Sequence, residues 1–573
     1  MDRSFYLRLS LAAGAVLLAR ALAGVLPEWA WGLNWIKHLP GVSVAVWTAA
    51  GLIMLSPWIF RRWTLVHWTK ESPARPAWQV GLAFFFAAYL LPRVATPLLG
   101  DGIDRLEATV AGLSELLRGH PAPLDLLAQY GSYRLLSWLS PAADPWLTSW
   151  RAWQFSSLAA GGLAAASLWK LASRKADSQG ERWFIFIVIM AAGTLVFFFG
   201  YVENYVILAA AVYAYLLLFD LAAKRELPVY VLLLAHLVLI GLHHFMLLLV
   251  PATLFALYRH RLFRPRPAFT IALLAAAGGF SLFLLAMIRE HYRGVAAIFV
   301  ASGDLFGAYH LVGFLNQQIL ACPALPLLLP LALLFRTPER DPLLAFTGAG
   351  SLILLVFFFW LRPVIGPAPD WDLFAMPSLL YTPWLALKLR AGFKSRPARA
   401  AAAGWCLIVL SLACSGPWLS VNTREARSIE MFKGFLKWES GHNPWAAATG
   451  YIRLGRYLSR SDLEARHPEA TASFLKAIEL RPESATFRRQ AAAGLGALGE
   501  EELSRHHGSE SHRLMAEYYL GRERYKEAEV EYRKALLLAP GSTEILEALI
   551  ELFEGPLENP AQAEIYRRRL QAP

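Results

Sequence analysis

The stretch GLAFFFAAYLLPRVATPLLGDGID (Gly81–Asp104) runs a string of apolar residues directly into two carboxylates. About 20 apolar residues suffice for a helix to cross a bilayer, so Asp101 and Asp104 fall where such a helix would leave the hydrocarbon. A carboxylate at that edge is poorly solvated, which makes it a candidate for proton transfer. The plainer alternative is that Asp101 or Asp104 caps the next helix, since Asp ahead of an amphipathic run such as Ile103–Leu117 satisfies free backbone N–H groups.

The same apolar pattern extends in both directions. Of 573 residues, 56% are hydrophobic and 17% charged, with 21 Trp and 33 Phe, a balance that excludes a wholly soluble globule. Apolar stretches recur at 5–26, 41–60, 79–99, 150–172, 183–200, 205–222, 228–242, 243–258, 268–288, 308–335, 343–361, 377–391 and 401–419. These predict an all-α, polytopic transmembrane helix bundle of about thirteen spans. The two runs that meet at Gly241–His244 hold only about 15 residues each, short for a full crossing, and read as helices whose tips end in a water-filled cavity. The first run begins Met-Asp-Arg-Ser and lacks a small-residue cleavage site, so it reads as a retained helix. Cys322, Cys406 and Cys414 lie in or near apolar runs at spacings that give neither a disulfide framework nor a zinc site.

A net charge of +12 raises the question of nucleic acid, but its distribution points to a membrane. Basic residues collect in Arg61–Arg75, Lys170–Arg182, Lys224–Arg225, Arg259–Arg266, Arg336–Arg340 and Lys388–Arg399, which are alternate loops. The positive-inside rule puts these loops and the amino terminus in the cytoplasm, with the intervening loops and everything after Ser420 outside. The outward loops hold Asp101 and Asp104; Tyr201, Glu203 and Asn204; His243 and His244; Arg289, Glu290, His291 and Arg293; and Asp370 and Asp372. Glu203 is expected about one turn into an apolar helix, where a charge is costly. Each cluster also has a structural reading: Glu203 in a tight turn or at the interface, the histidines bonded at a helix junction, Asp370 and Asp372 in a solvated turn after Pro363–Pro369. Asp370 and Asp372, spaced D-x-D, suit a hard divalent cation and make such a metal the candidate cofactor. Arg93, within the third apolar run, needs an anionic partner such as a lipid phosphate, or a route to water.

After Ser420 apolar runs give way to Arg, Glu and Ala at helical spacing. The expected organisation is a membrane domain over 1–420, with an external acidic loop over 100–149, and a soluble helical domain over 421–573. Within the latter, YYLGRERYKEAEVEYRKALLLAPGSTEILEAL (Tyr518–Leu549) resembles a tetratricopeptide repeat at Gly521, Tyr525, Ala528, Tyr532, Ala535 and Pro540, and TASFLKAIELRP (Thr471–Pro482) repeats its ending. Such helix pairs stack into a concave surface suited to a protein partner; the alternative is a folded cap over the membrane domain.

Four segments together, LLGDGIDRLEA (Leu98–Ala108), FGYVENY (Phe199–Tyr205), GLHHFMLLLVP (Gly241–Pro251) and DWDLFA (Asp370–Ala375), resemble the GT-C class of polytopic glycosyltransferases, specifically bacterial members with a carboxy-terminal tetratricopeptide region. The resemblance covers about residues 80–420. It implies an inner-membrane enzyme that takes a sugar from a polyprenyl-phosphate-linked donor and passes it to an extracytoplasmic glycan, lipid or protein. By the same resemblance one acid of the first large external loop is the catalytic base, Asp101 with Asp104 as alternate. The chain departs from the family in carrying about two spans before that loop. In such a reaction the base deprotonates an acceptor hydroxyl, which attacks the anomeric carbon with inversion as phosphate departs. Fixed cations stabilise the leaving group, for which Arg93, Arg289 and Arg293 are candidates, with His243, His244 or a metal held by Asp370 and Asp372 as alternatives. Two other classes compete: a lipid or solute transporter lined by Arg93, Glu203 and the histidine pair, although no repeat relates the two halves, and a non-catalytic scaffold that recruits envelope-assembly proteins.

Overall fold

A computed structural model describes residues 3–67, 75–118, 120–262, 279, 299–301, 303–334, 341–393, 396–460 and 464–571. Among these the chain is all-helical; the sole extended pairing is an isolated bridge between Phe299 and Leu361. It divides into two compact units, Met1–Phe435 and Leu436–Pro573.

The first unit is organised around the 31-residue helix Pro145–Lys175. Asp144 starts it by accepting a hydrogen bond from the Leu147 amide (2.7 Å), with Pro145 supplying a helical φ at the first position, and Arg174 and Lys175 close its electronegative end. The middle of its buried face carries small residues, Ala160, Gly161, Ala164 and Ala165. That face lets other helices approach closely: a Cβ at Gly81, on the helix Ala77–Leu90, would stand 2.7 Å from the Gly162 carbonyl. The helices Ala77–Leu90, Pro123–Leu139, Gln179–Met190 and Tyr205–Ala223 all pack against it.

Four helices are long and apolar enough to cross a membrane: Ser4–Val25, Tyr205–Ala223, Pro342–Trp360 and Pro397–Asn422. Two further pairs qualify only as broken spans, Glu28–His38 with Gly41–Met54, bent by 92°, and Ala308–Ala321 with Leu325–Leu334, bent by 85°. Proline explains both bends, since Pro40 and Pro323 keep the preceding residues, Leu39 and Cys322, out of helical backbone. Among the described residues that gives four spanning helices, or six with the bent pairs; apart from residue 279 the run 268–288 lies outside the described residues. Other apolar runs are interrupted. Residues 79–99 are helical only to Leu90, because Pro92 holds Leu91 extended. Residues 183–200 divide into Gln179–Met190 and a tight 3₁₀ turn, Gly193–Phe198.

The change in composition at Ser420 marks the end of the last apolar helix, yet the compact boundary falls later, between Phe435 and Leu436. The amphipathic helix that follows, Glu425–Ser440, starts within the first unit: Ile429, Phe432 and Phe435 are buried, and Phe435 meets Trp31 edge-on at 5.7 Å.

The second unit is a succession of helices, each packed on the next, Pro444–Ser459, His467–Leu480, Ala485–Ala497, Glu501–Leu520, Tyr525–Leu538, Thr543–Glu554 and Pro560–Gln571. Side chains of Asn443, Ser484 and Ser542 cap three of them. One core gathers around Phe474, onto whose ring Gly455 and Gly494 press; another holds Ala528, Tyr532, Ala535, Leu549 and Phe553.

Candidate functional site

Beyond Leu90 the chain runs without regular structure to Gly100, and its backbone is tied on both sides. The Val94 amide donates to the Phe199 carbonyl (2.7 Å), the Ala95 amide to the Asn422 carbonyl (2.9 Å), and the Gly100 amide to the Pro369 carbonyl (2.8 Å). These bonds bring three segments, around residues 100, 200 and 370, to one place.

Gly100 marks the meeting point. Its φ of +64° is the left-handed region that favours glycine, and a Cβ there would run into the Asp372 carboxylate and lie 2.8 Å from Glu203 Oε2. Next to it, the Asp101 amide donates to Glu203 Oε2 (2.7 Å). Arg105, one turn on, donates from Nη2 to Asp101 Oδ2 (2.9 Å), while its Nε stands 3.9 Å from Glu203 Oε1. Tyr201 donates its hydroxyl to Asp372 Oδ2 (2.9 Å), and Asp372 Oδ1 accepts from the Leu373 amide (2.9 Å). Phe197 and Trp371 wall this side, with Trp371 in turn against Trp418.

The three carboxylates differ in access. Glu203 and Asp372 are buried, at 1% and 0% exposure, whereas the Asp101 side chain is 38% exposed. Burial pushes the Glu203 carboxyl up to about 8, against the pull of Arg105 and with Asp101 and Asp372 adding to the rise. Burial likewise holds Asp372 well above the usual carboxylate range, with Asp370 adding. For Arg105, burial opposes the charge, but Asp101 and Glu203 outweigh it and keep the guanidinium protonated. The result is one exposed carboxylate, gripped by a permanent cation, in front of two buried acids.

Several sequence expectations change here. Asp101 sits at the N-cap position of the helix Gly102–Ala111, but its side chain makes no capping bond, so capping does not account for it. Asp104 lies in the first turn of that helix. Glu203 lies ahead of the apolar helix Tyr205–Ala223, not inside it. Arg93 is exposed instead of buried, because the helix has already ended; its guanidinium stacks over Tyr89 at 5.8 Å, and its stem packs on Gly200. His243 and His244 stack on each other (4.9 Å); His243 Nδ1 accepts from the Phe245 amide (3.4 Å), and the His244 amide donates to the Pro121 carbonyl (2.9 Å). The pair therefore fastens Pro121 to the end of the Val229–Leu242 helix. Asp370 is half-buried beside Trp371. Among the described residues no three His, Cys, Asp or Glu side chains are grouped to hold a metal ion, and each Asp372 oxygen accepts one hydrogen bond. Arg289 and Arg293, with Glu290 and His291, lie outside the described residues.

Arg105 and Asp125 belong to this site and were not singled out from the sequence. The D-x-x-x-R spacing of Asp101 and Arg105 is the helical i,i+4 pairing signal that would have found the first. Asp125 is wholly buried near the start of Pro123–Leu139 and is coupled electrostatically to Glu203 and Arg105. No protein-family model matches the chain, and no curated protein matches it.

Proposed function

We propose that this protein is a membrane glycosyltransferase of GT-C type that moves a sugar from a polyprenyl-phosphate donor to an extracytoplasmic acceptor with inversion. The convergence of Asp101, Glu203 and Asp372 around Gly100, with only Asp101 open to solvent, is the observation that supports it most strongly. Asp101 is the base that takes the acceptor hydroxyl proton. Arg105 fixes its carboxylate, and Glu203 fixes its backbone through the Asp101 amide. The exposed Arg93, at the end of an apolar helix, supplies a cation for the departing phosphate. Tyr201, Asn204, His243 and His244 shape the surrounding wall.

The site lies in an external loop of an inner-membrane protein whose amino terminus is cytoplasmic. In this reading the shorter apolar helices also lie in the bilayer as partial or broken spans, to a total of about thirteen runs. The second unit is a tetratricopeptide-like module with room for a protein partner. Incubating the full-length protein with polyprenyl-phosphate sugars and searching products by mass spectrometry tests the proposal. Sugar transfer by the native chain supports it; no transfer or hydrolysis from any donor in the panel refutes it and turns attention to the scaffold.

A further inference from the structure

Behind the acidic centre lies a second set of polar groups that the proposed base chemistry does not use. Asp125 has no exposed surface, and neither of its carboxyl oxygens has a hydrogen-bond partner among the described residues. Gln129, one turn further along the same helix and 1% exposed, leaves its Oε1 unpaired. Among the described residues Asn204, also 1% exposed, leaves both ends of its side-chain amide without a hydrogen bond, and Arg105 Nε, 3.9 Å from Glu203 Oε1, makes none either. These groups share one region: Asp125 is within electrostatic reach of Glu203 and Arg105, and the adjacent Leu126 packs with Leu106 and Val202 in one apolar cluster. Folded proteins pair the large majority of their buried polar groups, so several orphans in one place point to a missing partner.

The chemistry of the orphans narrows what that partner is. The Asn204 amide, Arg105 Nε and the O–H of a protonated Asp125 offer donors, whereas Gln129 Oε1, the Asn204 carbonyl and the other Asp125 oxygen call for donors. An anion accepts only and a cation cannot accept, so neither satisfies the set. A hydroxyl both donates and accepts. We propose that Asp125, Gln129, Asn204 and Arg105 form a buried subsite for the hydroxyl groups of a sugar ring. The identity of that ring as the transferred sugar rests on the glycosyltransferase reading. Burial favours the protonated form of Asp125, a carboxylic acid that can itself donate to one hydroxyl and accept from another.

The test uses the full-length protein in nanodiscs and thermal-shift titrations with farnesyl-phosphate esters of glucose, galactose, mannose and N-acetylglucosamine, against sugar-free farnesyl phosphate. At least one sugar ester should stabilise the wild type beyond the control. Asp125→Leu and Gln129→Leu should each weaken that sugar-dependent binding at least tenfold, while Asp125→Asn, which keeps a donor and an acceptor, retains most of it. Without ligand, Asp125→Leu should hold or raise Tm, because it replaces an unpaired buried acid with an apolar side chain. Three results overturn the subsite: no sugar-dependent shift in the wild type, undiminished binding in both leucine variants, or a ligand-free Tm that falls in both, which would mean ordered water or a structural role satisfies these groups. Asp101→Asn separates the two claims. If that variant binds sugar ester and also transfers it at the wild-type rate, the base assignment fails and the subsite stands.

Discussion

Replacing Gly100 by Ala should damage fold and site together, and its effect follows from two independent terms. At φ +64° an alanine carries the left-handed penalty of about 1–2 kcal/mol. Its Cβ would also press on the Asp372 carboxylate and on Glu203 Oε2, and overpacking a buried position costs about 1–3 kcal/mol. Neither neighbour can give way freely: Asp372 is held by Tyr201 and the Leu373 amide, and Glu203 by the Asp101 amide. The expected loss is about 2–5 kcal/mol, read as a clear fall in Tm of the purified protein in nanodiscs, with transfer reduced more than stability alone accounts for. Gly131→Ala is the matched control, since Gly131 sits within the helix Pro123–Leu139 with open space around it; it should be neutral or stabilising by about 0.5–1 kcal/mol. If Gly100→Ala keeps both the Tm and the activity of the wild type, the three acidic segments do not meet as described.

Three further outcomes can be checked on the same preparation. Burial raises the Glu203 carboxyl from its ordinary 4.5 to about 8, so the folded state holds a proton there that the unfolded chain releases. Its contribution to stability is full below about 4.5 and is lost as pH rises through about 8; Tm should fall across that range, and Glu203→Gln should flatten the slope, leaving the part due to Asp372. Tyr201→Phe removes the hydroxyl donor to a buried acid and should lower stability by about 1–3 kcal/mol in thermal unfolding. Asp220→Asn strips the shared carboxylate from Arg174, Lys175 and Lys224; Arg174 keeps Glu226 and Lys175 keeps Asp341, so the loss should be about 1–3 kcal/mol for the charge-assisted bonds removed, whereas an unchanged Tm would show the network to be dispensable.

The acidic motifs were legible one at a time, because a carboxylate beside an apolar run stands out from its neighbours. Their meeting was not: Asp101, Glu203 and Asp372 are joined by backbone bonds from Gly100 to Pro369 and from Val94 to Phe199, which no local pattern announces. Asp125 escaped notice because PLDLL reads as a helix start, where an acid suits the dipole, and only its burial without a partner reveals another role. Arg93 was misplaced because hydropathy continues past it while the helix does not; Pro92 ends it one residue earlier. The helical class and the change in character near Ser420 were readable, since both rest on periodicity and composition. The boundary itself shifted because the first amphipathic helix beyond Ser420 still buries Ile429, Phe432 and Phe435 in the first unit.

The central claim is that Asp101 acts as the base, and the most direct test is the single-turnover transfer rate of Asp101→Asn at saturating donor. General-base removal predicts a fall of about 10²–10⁴-fold, with Tm and donor binding close to wild type and with Asp104→Asn largely active. An Asp101→Asn rate within twofold of wild type would contradict the account.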